Sequence, residues 1–146
     1  IVETAYSLTC GCGLCGHWEA YASGRNMPAF FQAWCRREEL CQEGFDVRTA
    51  ESIFEAARRG DRVASSFLEE VGKINGRGVS NVIVAYNPEA IVLDGAVVQN
   101  NPDLILSPME RHIDRYLRVP DIRVSPLGGE APLLGAAAFA AMDEDE

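Results

Sequence analysis

Residues 10–19 hold the densest group of reactive side chains in the chain. Three thiols, one imidazole and one carboxylate lie within ten residues, at Cys10, Cys12, Cys15, His17 and Glu19. Thiolate and imidazole are ligands that Zn²⁺ takes in tetrahedral sites, and the three glycines between them permit tight turns of the backbone. The spacing therefore predicts a metal-binding loop. The alternative is a glycine-rich turn with free thiols or one disulfide.

The same stretch resembles the signature of the ROK family (repressor, open reading frame, kinase), which reads Cys-x-Cys-Gly-x-x-Gly-Cys-x-Glu. Cys10 and Cys12 match its first two cysteines, and His17 stands where the family has its third. The resemblance implies a structural zinc ion with closed coordination, which leaves no open catalytic position. It also implies that the fourth ligand is a histidine upstream of Ile1. Cys15 is the substitute fourth ligand if no such histidine is present.

Glu19 closes the signature and opens a short helix that stops at Gly24. The resemblance implies that this carboxylate binds the hydroxyl groups of a sugar. A carboxylate suits that role because it accepts hydrogen bonds from two neighbouring hydroxyls. Taken alone, a glutamate at a helix start is also favoured by the helix dipole. The metal motif directly before Glu19 favours the sugar contact.

A second motif follows a short apolar run, Ala90 to Leu93, which predicts a buried strand with helices on both sides. Ligands of open α/β sheets bind at the carboxyl ends of the strands. The surrounding sequence resembles the family segment Pro-Glu-x-Ile-Val-Leu-Gly-Gly-x-Val, whose Gly-Gly turn lets the adenosine of a nucleotide approach the backbone. The resemblance implies nucleotide contacts at Gly95 and Ala96. This chain departs from the pattern at Asp94, which replaces the first glycine.

Caps and turns predict the first three helices after the short one. Asn26 is a candidate N-cap for a helix that runs to about Leu40, with Pro28 in its first turn. Its aromatic residues are predicted to pack in the core, with a sugar-stacking platform of Trp18, Phe30 and Trp34 as the alternative. A second helix runs from Thr49 through Arg59, with Cys41 and Gly44 in the connection before it. Asp61 caps a third, long helix that ends at Asn87-Pro88.

Three glycines, Gly72, Gly76 and Gly78, interrupt the long helix. Each costs about 1 kcal/mol in a helix interior, so their presence predicts close approach of another backbone. Its buried face is predicted to include Val82 and Ala85 near the C-terminal end.

The last third of the chain predicts a helix that starts at Ser107-Pro108, since serine, proline and a following glutamate form a capping box. Met109, Ile113, Tyr116 and Leu117 would form its buried face. His112 is expected at the surface or at an interface, without a carboxylate partner of obvious geometry and without a catalytic role. A strand is predicted at Ile122–Val124. The segment around Gly128-Gly129 resembles the family's closing segment. It predicts a turn before an alanine-rich amphipathic helix, for which the resemblance implies a start at Gly135.

Composition narrows the function. The chain has 146 residues, 47% hydrophobic, and a formal net charge of −9, which argues against nucleic acid binding by this segment. It has no apolar run long enough to span a membrane. Five cysteines, an odd number, argue against a fully disulfide-bonded secreted fold and favour a reducing cytoplasm.

The resemblance covers the whole chain and implies an α/β fold, the C-terminal part of an actin-like ATPase (ribonuclease-H-like) fold with a zinc-binding loop. We expect one domain over residues 1–146. It divides into a zinc and sugar loop (1–24), a helical part (25–86), an α/β nucleotide-side part (87–142) and a solvated acidic tail (143–146).

The family's catalytic aspartate and its Asp-x-Gly-Gly phosphate motif would lie upstream of residue 1. The function implied is the C-terminal portion of a hexose kinase that uses ATP and Mg²⁺ and forms homo-oligomers. The alternative is a sugar-responsive repressor with a helix-turn-helix upstream. A zinc-stabilised interaction module without a sugar site is the third hypothesis.

Overall fold

The structure is a computed structural model that describes residues 1–3, 5–40 and 47–142. It is an α/β fold, and its elements in chain order are α1 (Glu19–Ala22), α2 (Met27–Arg37), α3 (Ala50–Arg58), α4 (Arg62–Tyr86), β1 (Ala90–Leu93), α5 (Ala96–Asn100), α6 (Pro102–Arg111), β2 (Asp121–Val124), a 3₁₀ turn (Gly128–Glu130) and α7 (Ala131–Ala140). Cys41, Gly44 and the predicted tail at 143–146 lie outside the described residues.

Helix α4 is the central element, and both of its predicted ends are confirmed. The Asp61 carboxylate accepts a hydrogen bond from the backbone N–H of Ala64 at 2.8 Å, which satisfies one of the free donors of the first turn. At the other end Asn87 adopts a left-handed conformation with a φ of 44°, a geometry that asparagine tolerates. Its N–H still bonds to the carbonyl of Ile83 at 2.8 Å.

The main core lies where α2 and α3 pack on the first half of α4. Phe67 of α4 contacts Phe30 and Phe31 with ring centroids 5.0 and 4.9 Å apart, within the range of favourable aromatic pairs. Phe30 and Trp34 are buried in this cluster, so the prediction that they pack in the core is confirmed. Leu40 is partly exposed, because α2 ends at Arg37 instead of continuing to Leu40.

The Asn26 cap is wrong in detail. Its side chain makes no capping bond to α2, and its amide instead donates to the carbonyl of Glu19 at 3.1 Å. Asn26 therefore joins α1 to the start of α2. The predicted start of α3 at Thr49 is confirmed, and the Thr49 hydroxyl caps the helix by accepting from the N–H of Ser52 at 3.2 Å.

The predicted close approach of another backbone is confirmed at Gly72 and Gly76 of α4, whereas Gly78 faces a side chain. A Cβ on Gly72 would lie 2.4 Å from the Pro108 side chain, and one on Gly76 would lie 2.6 Å from the backbone of His112. A Cβ on Gly78 would lie 2.5 Å from the Trp18 ring. Contacts this short exclude any side chain. Val82 is only partly buried and Ala85 is exposed, so the predicted buried face is wrong at that end.

Helix α6 begins at Pro102, five residues before the predicted start at Ser107. Ser107 and Pro108 therefore lie inside the helix, and the capping-box prediction is wrong. Pro108 is buried against Gly72 of α4, and this packing outweighs the local preference of Ser-Pro for a helix start. The helix also ends at Arg111, so Tyr116 lies beyond it and is 79% exposed. Met109 and Ile113 are buried as predicted.

The two strands pair in parallel, with Ala90 opposite Asp121 and Leu93 opposite Val124. One face, which carries Ile91 and Ile122, packs against α4 and α6. Val92 on the other face is 52% exposed. The expectation of a strand buried on both sides is therefore wrong in this chain, because within the described residues helices cover only one face of the sheet.

Helix α7 begins at Ala131, which places Gly135 in its middle. Leu133, Leu134 and Phe139 are all exposed. The predicted amphipathic pattern is wrong, because apolar residues occur on every side of this helix instead of on one. Across the three described ranges, no helix is both long enough and apolar enough to traverse a bilayer.

Candidate metal centre and ligand cavity

The loop before α1 folds back on itself and brings its ligand residues together. Gly13 and Gly16 have φ angles of 85° and 83°, a region that side chains strongly disfavour. Gly16 has no space for a Cβ, which would lie 2.6 Å from the carbonyl oxygen of Glu3. The backbone N–H of Cys10 bonds across the turn to the carbonyl of Leu14 at 2.8 Å. The glycines therefore permit the turn that the motif requires.

Cys10, Cys12 and His17 form one cluster, in which the ligand atoms all lie within 4.8 Å of one another. The Cys12 Sγ is 3.1 Å from the His17 Nδ1. Ligands of a tetrahedral zinc site, each about 2.0–2.3 Å from the ion, lie roughly 3.3–3.8 Å from one another. The donor set of two thiols and an imidazole suits Zn²⁺, and the spacing of the three ligand atoms is close to that range.

Cys10 is the buried member of the cluster, and its thiol donates to the Glu19 Oε2 at 3.3 Å. A backbone hydrogen bond from Cys12 lowers the pKa of Cys10. Desolvation and the hydrogen bonds to Glu19 and Cys12 outweigh that effect, so the pKa of the Cys10 thiol is raised. Without a cation beside it, Cys10 therefore favours the protonated form, whereas a bound cation would favour the thiolate.

Cys15 lies outside this cluster. Its Sγ is 3.7 Å from the carbonyl of Ser7 and 3.7 Å from the Thr9 hydroxyl. The backbones of Thr9 and Cys15 pair in an isolated antiparallel β-bridge. The structure thus brings together three of the four thiol and imidazole groups in the motif. Cys35 is buried in α2 and is separate from the loop.

Glu19 lies beside the metal cluster, in the first turn of α1. Its side chain is exposed apart from the contact with Cys10. The loop that carries the ligands therefore fixes the position of this carboxylate, which remains accessible to a ligand from solvent.

A cavity of about 410 Å³ opens beside the C-terminal end of α1, at the carboxyl end of β1. Its walls come from α1, α4, α6 and the β1–α5 turn. The lining residues are Trp18, Ala22, Ser23, Gly24, Asn75, Leu93, Asp94, Gly95, Ala96, Val97, Val98, Ile105 and Met109. Both predicted nucleotide contacts, Gly95 and Ala96, are among them. Gly95 has a φ of 110°, which lets the strand turn directly into α5.

Two cavity residues were not predicted as a pair. The Trp18 indole N–H donates to the Asn75 Oδ1 at 2.8 Å, and Gly78 leaves room for the indole ring. The signal in the sequence was Asn75, a polar residue next to Gly76 among the apolar positions of the long helix. Gly128 and Gly129 do not line the cavity.

Asp94 sits at the rim of the cavity, and its side chain is oriented. The Gln99 Nε2 donates to the Asp94 Oδ1 at 2.8 Å and to the carbonyl of Ser125 at 2.9 Å. Gln99 thereby links the ends of the two strands. The departure from the family's glycine therefore introduces a fixed carboxylate beside the cavity.

One expectation about a titratable group is wrong. His112 has a carboxylate partner, because its Nε2 lies 3.6 Å from the Glu69 Oε2 across the contact between α4 and α6. Arg111 bonds to the other oxygen of the same carboxylate. The pair was not visible in the sequence because Glu69 lies in α4 and His112 directly follows α6, far away along the chain.

The profile of the ROK family matches residues 3–143, and the chain belongs to that family. The chain is 36% identical over 142 residues to the glucokinase of Pyrobaculum calidifontis, an alignment that covers 96% of this chain and 45% of the relative. The chain thus spans about half the length of the curated relatives it matches.

Solved structures support the same fold. A ROK family glucokinase from Streptomyces griseus, in complex with glucose and AMPPNP, superposes with a TM-score of 0.72 at 27% identity, over 95% of this chain and 49% of that one. A ROK family transcriptional regulator, a homologue of the E. coli MLC protein, superposes with a TM-score of 0.69 at 25% identity, over 94% of this chain and 36% of that one. The chain therefore shares its fold with both kinases and regulators.

Proposed function

We propose that the protein to which this chain belongs is an ATP-dependent hexose kinase that transfers the γ-phosphoryl group to a sugar hydroxyl. The observation that carries this proposal is the arrangement around α1. The first residue of this helix, Glu19, contacts Cys10 of the loop, and its last residue, Ala22, lines the cavity at the end of β1. A sugar and a nucleotide bound there would be neighbours, as a transfer between them requires.

In this proposal Glu19 binds sugar hydroxyls and Zn²⁺ holds the loop. Cys10, Cys12 and His17 would hold the ion, with a histidine upstream of residue 1 or Cys15 as the fourth ligand. The ion would contribute structure, since closed coordination leaves no position for substrate. Its support for Glu19 is indirect, through the ligand Cys10 that contacts this carboxylate.

The nucleotide would bind at the β1–α5 turn, with Gly95 and Ala96 allowing close approach of its adenosine to the backbone. A glucokinase of the same fold is described in complex with glucose and AMPPNP, which supports the use of ATP by this protein. We expect Mg²⁺ on the phosphates, and the catalytic base and phosphate motif upstream of this segment. Phosphoryl transfer depends mainly on positioning and electrostatics, so residues 1–146 alone are expected to be inactive.

We further propose that residues 1–24, 25–86 and 87–142 serve as the zinc and sugar loop, the helical part and the nucleotide-side part of one domain. The free thiols Cys10, Cys12 and Cys15 support action in a reducing cytoplasm. Assembly into homo-oligomers is proposed from the family resemblance.

A sugar-responsive transcriptional repressor is the second candidate, and Asp94 is the observation that favours it. A repressor need not keep contacts to ATP, so it tolerates a substitution in the Gly-Gly turn. The likeness to a regulator of the same family is compatible with that function. The kinase is preferred because the loop and Glu19 match the family signature apart from the change to His17.

The deciding experiment is a thermal melt of the full-length protein with glucose, mannose, N-acetylated hexoses and ATP–Mg²⁺, each added alone. A ligand at about 100 times its Kd stabilises the folded state by about 2.7 kcal/mol. Stabilisation by a sugar and by ATP, followed by sugar-dependent release of ADP, is the expected result. Stabilisation by a sugar without ATP would establish the repressor instead, and stabilisation by neither would leave a zinc-bound interaction module.

A further inference from the structure

The cavity at the end of β1 is lined mostly by apolar residues, which suits a heteroaromatic ring. Its inner surface is formed mostly by apolar side chains, among them Trp18, Leu93, Val98, Ile105 and Met109. A volume of about 410 Å³ lies within the ordinary range for small-ligand sites, roughly 300–1,000 Å³. Such walls favour a heteroaromatic base over a polyphosphate.

One polar group on the inner wall suits a base. Asn75 is buried, with a relative exposure of 6%. Its Oδ1 accepts a hydrogen bond from the indole N–H of Trp18. Its Nδ2 therefore remains as a donor at the cavity wall, since within residues 1–3, 5–40 and 47–142 the side-chain hydrogen bond of Asn75 uses the oxygen. Ring nitrogens of a purine accept such a bond.

Asp94 supplies a hydrogen-bond acceptor at the rim of the cavity, in contrast to the donor on Asn75. Gln99 holds its Oδ1 at 2.8 Å and anchors this link on the Ser125 carbonyl at the end of β2. The Oδ2 has no protein partner in the described part of the chain and is open to solvent. A carboxylate only accepts hydrogen bonds, so it attracts hydroxyl donors and repels phosphate groups of like charge.

We infer that Asp94 selects ribonucleotides by accepting a hydrogen bond from a ribose hydroxyl of a nucleotide whose base occupies the cavity. This inference rests on the proposed use of ATP. The base lies against Trp18 and Asn75, the ribose lies at the rim beside Asp94, and the phosphates leave the cavity on the side away from this carboxylate. A glycine at this position, as in the family segment, offers no side chain for that contact.

The test is isothermal titration of the full-length protein with ATP–Mg²⁺, 2′-deoxyATP–Mg²⁺ and 3′-deoxyATP–Mg²⁺. Loss of a hydrogen bond to a charged acceptor costs about tenfold or more in affinity, so at least one deoxy analogue is expected to bind about tenfold more weakly than ATP. In Asp94→Gly the ratio falls towards one, because ATP loses affinity while the analogue does not. Asp94→Asn keeps one acceptor oxygen, so its ratio of affinities is expected to lie between that of the parent and that of Asp94→Gly.

Asp121→Asn is the matched control, since it removes an exposed carboxylate at the opposite end of the same sheet. It is expected to keep the ratio of the parent. Equal binding of ATP and both analogues by the parent, or an unchanged ratio in Asp94→Gly, would overturn the inference while leaving ATP use intact. Failure of the parent to bind any of the three nucleotides would overturn the kinase proposal, and the inference with it.

Discussion

Gly76 of α4 lies directly against the backbone of His112 at the end of α6. A Cβ built on Gly76 would lie 2.6 Å from both the carbonyl carbon and the carbonyl oxygen of His112. Four residues earlier, Gly72 makes the same kind of contact with Pro108. Residues four apart share one face of a helix, so α4 presents a groove of glycines into which α6 packs. This contact holds the cavity walls formed by Ile105 and Met109 against Asn75.

Substitution of Gly76 by alanine is expected to destabilise the fold, because two backbones would have to separate. Overpacking of this kind costs about 3 kcal/mol at the upper end, and the better helix propensity of alanine returns about 1 kcal/mol. A net loss of roughly 2 kcal/mol should appear in urea unfolding. Gly135→Ala in α7 is the control, since its Cβ would meet nothing within 4 Å. Equal stability of the two variants would show that the helix contact is looser than described.

Substitution of Glu19 by glutamine is expected to raise the KM for the sugar or abolish turnover in the full-length protein, while the metal content stays unchanged. The amide is isosteric but accepts at one oxygen only, so it loses one hydroxyl acceptor. Steady-state kinetics and elemental analysis of the same sample make the measurement. Glu110→Gln, an exposed glutamate on α6, serves as the control. Kinetics equal to those of the parent would remove Glu19 from the sugar site.

Substitution of Cys12 by serine is expected to reduce the zinc content of the full-length protein to near zero and to lower its melting temperature. The alcohol is a poor ligand compared with a thiolate, and a structural zinc ion contributes directly to folding. Cys15→Ser is the matched variant, because Cys15 lies outside the cluster. It should retain zinc if the fourth ligand is an upstream histidine. Loss of zinc in Cys15→Ser would identify Cys15 as a ligand.

Stability is expected to fall above pH 10 because of Tyr6. Burial, with a further contribution from Glu70, raises the pKa of the Tyr6 phenol to about 12, against about 10 in an unfolded chain. The folded state holds this proton more tightly, so the contribution of Tyr6 is complete below pH 10 and is lost as the pH rises towards 12. Urea unfolding at pH 9 and pH 11 measures the slope.

Tyr6→Phe should flatten this slope, since the phenol that titrates is gone. The pH dependence that remains reports on other groups, among them Tyr21, whose burial raises its pKa in the same direction. An identical slope in the parent and in Tyr6→Phe would contradict the assignment to Tyr6.

The sequence by itself determined the local features of this protein. The glycines of the loop, the caps at Thr49 and Asp61, and the stop at Asn87 act within a few residues, so their spacing was enough to place them. The cluster of Cys10, Cys12 and His17 was predictable for the same reason, since the three residues lie within eight positions of one another. The order of the motifs was also enough to indicate the ROK family.

Only the tertiary structure decided the features that join distant segments. Helix α6 begins at Pro102 and not at the predicted Ser107, because Pro108 packs against Gly72 inside the helix contact. Local capping preferences carry no information on that contact. The Trp18–Asn75 bond joins residues 57 positions apart, and the Glu69–His112 pair spans two helices. The cavity and its oriented Asp94 exist because α1, α4, α6 and the sheet meet there, and the free energy of that packing depends on complementary shapes that periodicity does not encode.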